Sequence, residues 1–225
     1  MKGVRRRVSN INPIMDKYLL QLKNEFGKYG SWALWDKDGG IKKIIEDKHF
    51  ESSIKPNIIF MGLNASYNLR KAGDWMNYHF IKDKKGFSWE KEHCRKLAEV
   101  LSEPEFSCFS GSYMTDVIKD NYNSNSSKVN NENASENRKL LEREMNLLSS
   151  ISGSDTFTII CMGKKSLKET KKIVKDNVFE IYHYANWGDK NNKNQKIKGC
   201  QKVKERIRQD LRKIKSSGNY GSSKK

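Results

Sequence analysis

Apolar positions fall into two kinds of pattern along this chain. Ile14, Tyr18, Leu22 and Phe26 recur every four residues, which draws one stripe along an opening helix ended by Gly27 and Gly30. Residues 57–61 (NIIFM) instead form a short continuous apolar run, preceded by Pro56 and stopped at Gly62, which reads as a buried strand. Further strands are expected at residues 112–118, 156–162 and 178–182. Helices are expected at residues 88–101, with Trp89, Leu97, Val100 and Leu101 inward, at about 136–150, from Lys165 onward, and at about 198–215. In the last helix Val203, Ile207, Leu211 and Ile214 make the apolar stripe, with Lys and Arg outward. Residues 120–137 are rich in Asn and Ser with almost nothing to bury, and are expected to form a flexible loop; residues 216–225 are expected to form a disordered tail.

Short, continuously apolar strands separated by helical stretches argue for an α/β protein. The expected architecture is a three-layer αβα sandwich around a central four-stranded, mainly parallel sheet, and 225 residues suit a single domain over residues 1–225. Right-handed crossovers place the C-terminal ends of all the strands on one edge, where open α/β sheets bind ligands. The segments brought to that edge are Gly62-Leu63-Asn64-Ala65-Ser66, Thr115-Asp116 and His183-Tyr184-Ala185-Asn186-Trp187.

Composition narrows the partners. Hydrophobic residues make up 36 % of the chain, and no apolar run approaches the roughly 20 residues that cross a bilayer. The first ten residues are basic, but residues 10–16 supply no apolar segment of a secretory leader, so a cytoplasmic protein is expected. Cys94, Cys108, Cys161 and Cys200 are scattered without CxxC or His at ligand spacing, which reads as reduced thiols and not as a metal site. Lys and Arg total 44 against 27 acids, a formal charge of +17. Such a surplus favours a polyanion, because each phosphate neutralised releases condensed counterions; a lysine-rich composition with abundant Asn and Ile explains the charge equally well.

The three edge segments carry a resemblance. GLNAS (62–66) resembles the first motif of uracil-DNA glycosylases, in which Gly-hydrophobic-Asn/Asp-Pro ends the first strand. HYANWG (183–188) is similar to their second motif, written HPSPLS or close to it, and YMTDVIK (113–119) resembles the TNVVK-like strand that supplies a base-reading residue in some branches. The motifs stand in the family's order, the resemblance covers about residues 57–211, and GSWALWD (30–36) adds a likeness to a bacterial branch. The resemblance implies a uracil-DNA glycosylase-like fold and a monofunctional, monomeric enzyme without metal or cofactor. Such an enzyme flips a base out of DNA, hydrolyses its N-glycosidic bond and leaves an abasic site.

That chemistry passes through an oxocarbenium-like sugar while the base leaves as an anion. A polar group must orient water, and a donor must meet the charge growing on the base. By resemblance Asn64 takes the water-positioning place and His183 the donor place. The alternatives are an Asn stabilising a tight turn and a His at a strand end. Trp187, four residues after His183, stands where the family carries a wedge that fills the gap left by the extruded nucleotide; a half-buried Trp is the alternative. Ala185 replaces the motif's hydroxyl residue, so a phosphate contact there, with Asn186, falls to backbone N–H. Ser66, Arg70 and Lys190 are further candidates for the DNA backbone.

Asp116 departs from the family's Asn. An ionised Asp only accepts hydrogen bonds, so it opposes uracil O4 and suits the amino group of a cytosine. An enzyme attacking ordinary cytosine would destroy its own genome. The expectation is therefore a modified cytosine, for example a hypermodified phage base, removed in antiviral defence. Phe80, Trp75 and Tyr78 are candidates to stack on the flipped base. Two alternatives stand beside this reading: a uracil or mismatch repair glycosylase, and a basic DNA-binding protein of the same fold without catalysis.

Overall fold

A computed structural model describes residues 13–35, 50–64, 89–119, 121, 128–129, 133–175, 177–185 and 193–218. In chain order these hold α1 (Pro13–Phe26), β1 (Ser31–Trp32), the short α2 (Phe50–Ser53), β2 (Lys55–Asn64), α3 (Trp89–Leu101) and a 3-10 helix (Pro104–Phe109). There follow β3 (Ser112–Ile118), α4 (Ala134–Ser152), β4 (Thr158–Met162), α5 (Lys164–Thr170), β5 (Val178–Ile181) and α6 (Lys193–Ser216).

The described strands form one sheet in the order β1-β3-β2-β4-β5. The four expected strands run parallel, and the sheet has a fifth, β1, paired antiparallel to the edge of β3 through Ser31↔Met114 and Trp32↔Tyr113. This corrects the expectation of four strands. A two-residue strand has no periodicity to read, and only its partner β3 gives it a place.

Successive side chains of a strand point to opposite faces, and here each face meets its own apolar layer. Ile59, Met61, Tyr113, Val117 and Ile159 pack against Leu22 and Phe26 of α1, Leu141, Leu148 and Ile151 of α4, and the chain around α5. Ile58, Phe60, Met114, Ile160 and Ile181 pack against Leu97, Val100 and Leu101 of α3, Phe106 and Phe109, and Val203, Ile207, Leu211 and Ile214 of α6. The whole apolar stripe read for the last helix is buried. Both faces of the sheet are therefore covered, as a parallel sheet requires.

The chain leaves β2 toward β3 with α3 on one face. It then moves the other way, β3 to β4 to β5, with α4 and α5 on the opposite face. Reversing both the direction and the face keeps a single crossover hand. The reversal makes the C-terminal ends of β2 and β4 a topological switch point, the position of the ligand crevice in open α/β sheets.

Two boundaries differ in ways that matter. β2 does not stop at Gly62 but runs on to Asn64, so Asn64 is a strand residue in register with Ile118. The Asn/Ser-rich segment gives way to α4 at Ala134, two residues before the expected start. Its last residue, Asn137, is buried and accepts a 2.7 Å hydrogen bond from the Lys119 N–H, so it closes the end of β3 and is no part of a solvated loop. The four cysteines are free thiols, with Cys94 and Cys161 buried.

Candidate functional site

Alternation along β2 puts Ile58, Phe60, Gly62 and Asn64 on the face covered by α3 and α6. Alternation along β3 puts Met114 and Asp116 on the same face, and β5 presents Phe179 and Ile181 there, with His183 two residues further on. Asn64, Asp116 and His183 thus share one face at the C-terminal edge, although 119 positions separate the first from the last. Gly62 and Asp116 are register partners. A Cβ built on Gly62 would lie 2.1 Å from Asp116 Oδ1, so only glycine lets the buried carboxylate fold over β2.

Asn64 is oriented by the chain that follows β3. Its Nδ2 donates a 2.8 Å hydrogen bond to the Asn121 carbonyl, which makes Oδ1 the accepting end of the amide.

His183 is held from two sides. The Ala185 N–H donates to its Nδ1 at 3.0 Å, so a neutral ring carries its proton on Nε2. The Tyr184 ring stacks on the imidazole with centroids 4.9 Å apart. Burial, and then the Lys96 ammonium, push the imidazole down to about 4, so at neutral pH the ring is uncharged. Among the described residues Nε2 has no hydrogen-bond partner. Gly163 closes the underside: its φ of +93° suits glycine alone, and a Cβ there would lie 3.4 Å from His183 Cβ.

The Ala185 N–H is already committed to His183 Nδ1, which corrects its expected phosphate contact: Ala185 supports the imidazole. Ser66, Arg70, Trp75, Tyr78, Phe80, Asn186, Trp187 and Lys190 lie outside the described residues. Among the described residues no cluster of three His, Cys, Asp or Glu could hold a metal ion, and no helix is long and apolar enough to cross a membrane.

Two groups beside the motifs escaped sequence reasoning. Lys96 of α3 is buried, and its Nζ donates to the Tyr184 carbonyl at 3.2 Å, which ties α3 to the turn that carries His183. Its place between Cys94 and Leu97, both core residues, was the available signal. Ser166 of α5 is also buried, and its hydroxyl lies 2.7 Å from the Met61 carbonyl and 3.1 Å from that of Gly62. That contact pins the first turn of α5 to the end of β2.

No family model, curated protein or solved structure matches this chain.

Proposed function

We propose that the chain is a DNA glycosylase of the uracil-DNA glycosylase superfamily. It acts as a monomer on a flipped pyrimidine, a modified cytosine by preference, and leaves an abasic site. The observation that carries this reading is the state of His183: an uncharged imidazole, its Nδ1 saturated by Ala185 and its Nε2–H without a described partner. It stands at the same edge as an oriented amide and a buried carboxylate.

The chemistry follows from those three groups. As the glycosidic bond lengthens, negative charge collects on the base carbonyl. A neutral donor strengthens its hydrogen bond with that growth without first tying up the charge-free base. Asn64 and His183 belong to strand ends two sheet positions apart, about 10 Å at 4.7–4.9 Å per strand, and side chains reaching in from both sides bracket a nucleoside-sized gap. Asn64 Oδ1 accepts from the attacking water, and Asp116 accepts from the exocyclic amino group of a cytosine-type base. The reading of DNA as substrate also accords with the +17 charge.

The test is incubation of the purified chain with oligonucleotides and phage DNAs of differing base chemistry, followed by alkaline cleavage at abasic sites. Cleavage confined to modified-cytosine DNA is the expected result. Cleavage of uracil DNA alone would move the activity to repair. No cleavage on any substrate, with DNA still bound, would leave a non-catalytic DNA-binding protein.

A further inference from the structure

The geometry points to a docking surface for one DNA strand, a lysine ridge of Lys164, Lys168, Lys171 and Lys175 that starts at the C-terminal edge of the sheet and runs along α5 and the turns after it. The inference rests on the glycosylase reading and names the part of the chain that holds the substrate's phosphates.

The segment KKSLKETKKIVK (164–175) divides by helical spacing. Ser166 and Thr170 are buried, and Leu167, Ile173 and Val174 pack against the core. Lys164, Lys168, Lys171 and Lys175 recur at intervals of four, three and four, and all are exposed. Ser166 fastens the start of this ridge to the Met61 and Gly62 carbonyls, and a Cβ added to Gly163, the residue before the ridge, would lie 3.4 Å from His183 Cβ. The ridge therefore begins at the C-terminal edge of the sheet, beside Gly62 of β2 and the chain that carries His183, on the face opposite α3 and α6.

The ridge lysines have no acidic partner among the described residues. Lys172 pairs with Glu169 at 2.7 Å, but the side chains of Lys164, Lys168, Lys171 and Lys175 make no hydrogen bond or ion pair among the described residues. The basic face of α6 differs. Arg208 is held by Glu103 at 2.7 Å, Arg212 by Glu105 at 2.8 Å and Lys204 by Glu99 at 3.0 Å. Arg206 and Lys213 both lie within 4 Å of Asp210. On α6 Lys204, Arg208 and Arg212 fasten the helix to α3 and the chain that follows it, whereas the four ridge lysines face outward without an acidic partner among the described residues.

A polyanion supplies such a partner, and the shape selects DNA. The seven residues of α5 rise about 10 Å, the length of about three phosphates of one strand at 3.4 Å each. A membrane surface would call for apolar side chains beside the lysines. The large hydrophobics exposed among the described residues, Leu20 and Tyr182, are not on the ridge.

The experiment compares the full chain with a variant carrying Lys164→Gln, Lys168→Gln, Lys171→Gln and Lys175→Gln. Binding to a short labelled duplex of ordinary bases is followed across a salt series. Since all four side chains are exposed, matching thermal melts establish that the variant is folded. Each lysine on a phosphate contributes about 0.9 to the slope of log K against log salt, so two or more such contacts flatten it by about 1.8 or more. Affinity should then fall about tenfold or more at moderate salt. An unchanged slope overturns the ridge while abasic-site formation, measured alongside, can still uphold the glycosylase. A ridge-dependent slope without abasic sites on any substrate upholds the ridge and removes the glycosylase. Ridge-dependent binding to phosphatidylserine vesicles, with none to the duplex, overturns the proposal in favour of a membrane surface.

Discussion

β3 carries polar side chains on both of its faces, and the two faces use them differently. Toward α4, Tyr113 and Thr115 both donate to Glu144 Oε1, at 2.9 and 3.0 Å, while Lys119 Nζ reaches Glu144 Oε2 at 2.7 Å and Thr115 Oγ1 at 2.6 Å. Lys119 and Glu144 are fully buried, and Lys119 Nζ also stands 5.3 Å over the Tyr29 ring. Burial, with Glu144 beside it, drives the Tyr113 phenol well above its ordinary range, so it stays a donor. This is a circuit in which donors and acceptors satisfy one another. Toward α3, one residue along the strand, Asp116 lies over Gly62 at the C-terminal edge that also carries His183, whose Nε2–H has no described partner. A closed internal circuit marks structure, and an imidazole Nε2–H without a described partner beside a strand end marks a candidate site.

The largest effect is expected where the circuit is broken. Glu144→Ala leaves a buried ammonium without its counter-charge, a change worth about 3–5 kcal/mol of stability. Urea denaturation measures it. Replacing both partners, Lys119→Met with Glu144→Met, should recover most of that loss, because no charge is then left buried. If Glu144→Ala costs no more than an ordinary surface substitution, the circuit is not the closed structural unit described here.

The crevice face should respond in rate and not in stability. His183→Ala and Asn64→Ala should each lower abasic-site formation by about 10²–10³, the usual cost of one positioned hydrogen-bonding group, with melting temperature and DNA affinity nearly unchanged. Wild-type turnover in either variant would show that the site has been assigned to the wrong residues.

The same contrast explains what could be read from the chain. The stripe Val203, Ile207, Leu211 and Ile214 was legible because burial repeats with the period of the helix, and strands such as Thr158–Met162 because a short apolar run is buried on both faces. Asn64, Asp116 and His183 were legible because topology sends strand ends to one edge. The circuit was not. Glu144 sits between Leu141 and Leu148 on the inward side of α4, a place that reads as an interruption of the stripe until its partners on β3 are known. β1 was hidden by its length. The extension of β2 was hidden because Gly62, which looks like a stop, is there to admit Asp116.

A smaller effect is expected at Asp116, the proposed base reader. Asp116→Asn should shift preference from cytosine-type toward uracil-type bases by roughly tenfold to a hundredfold. An amide can turn its NH₂ to O4 and its oxygen to N3–H, whereas an acceptor facing O4 costs about 1–3 kcal/mol. Competition between the two kinds of oligonucleotide measures the ratio. A wild type that removes plain uracil efficiently, with no change in the variant, would take the cytosine preference away and leave the superfamily assignment standing.

The smallest effect is expected from pH near neutrality, and it bears most directly on the state of His183. The unfolded imidazole takes up its proton near 6.5, and the folded one only near 4, because burial and then the Lys96 charge oppose the cation. Between those values the unfolded chain binds more protons, so the contribution of the neutral ring to stability is whole above about 6.5 and is lost as pH falls through about 4. The proposed catalytic donor follows the same course: a neutral Nε2–H is present throughout pH 6–8, so no His183 titration should appear in the rate over that range. Imidazole chemical shifts followed by NMR give the midpoint without relying on activity. Lys96→Met should move that midpoint upward but short of 6.5, since the ammonium goes while the burial stays. A wild-type midpoint near 6.5 would mean that the ring is as well solvated as an ordinary surface histidine. The crevice face would then lose the neutral donor that sets it apart from the circuit across the strand.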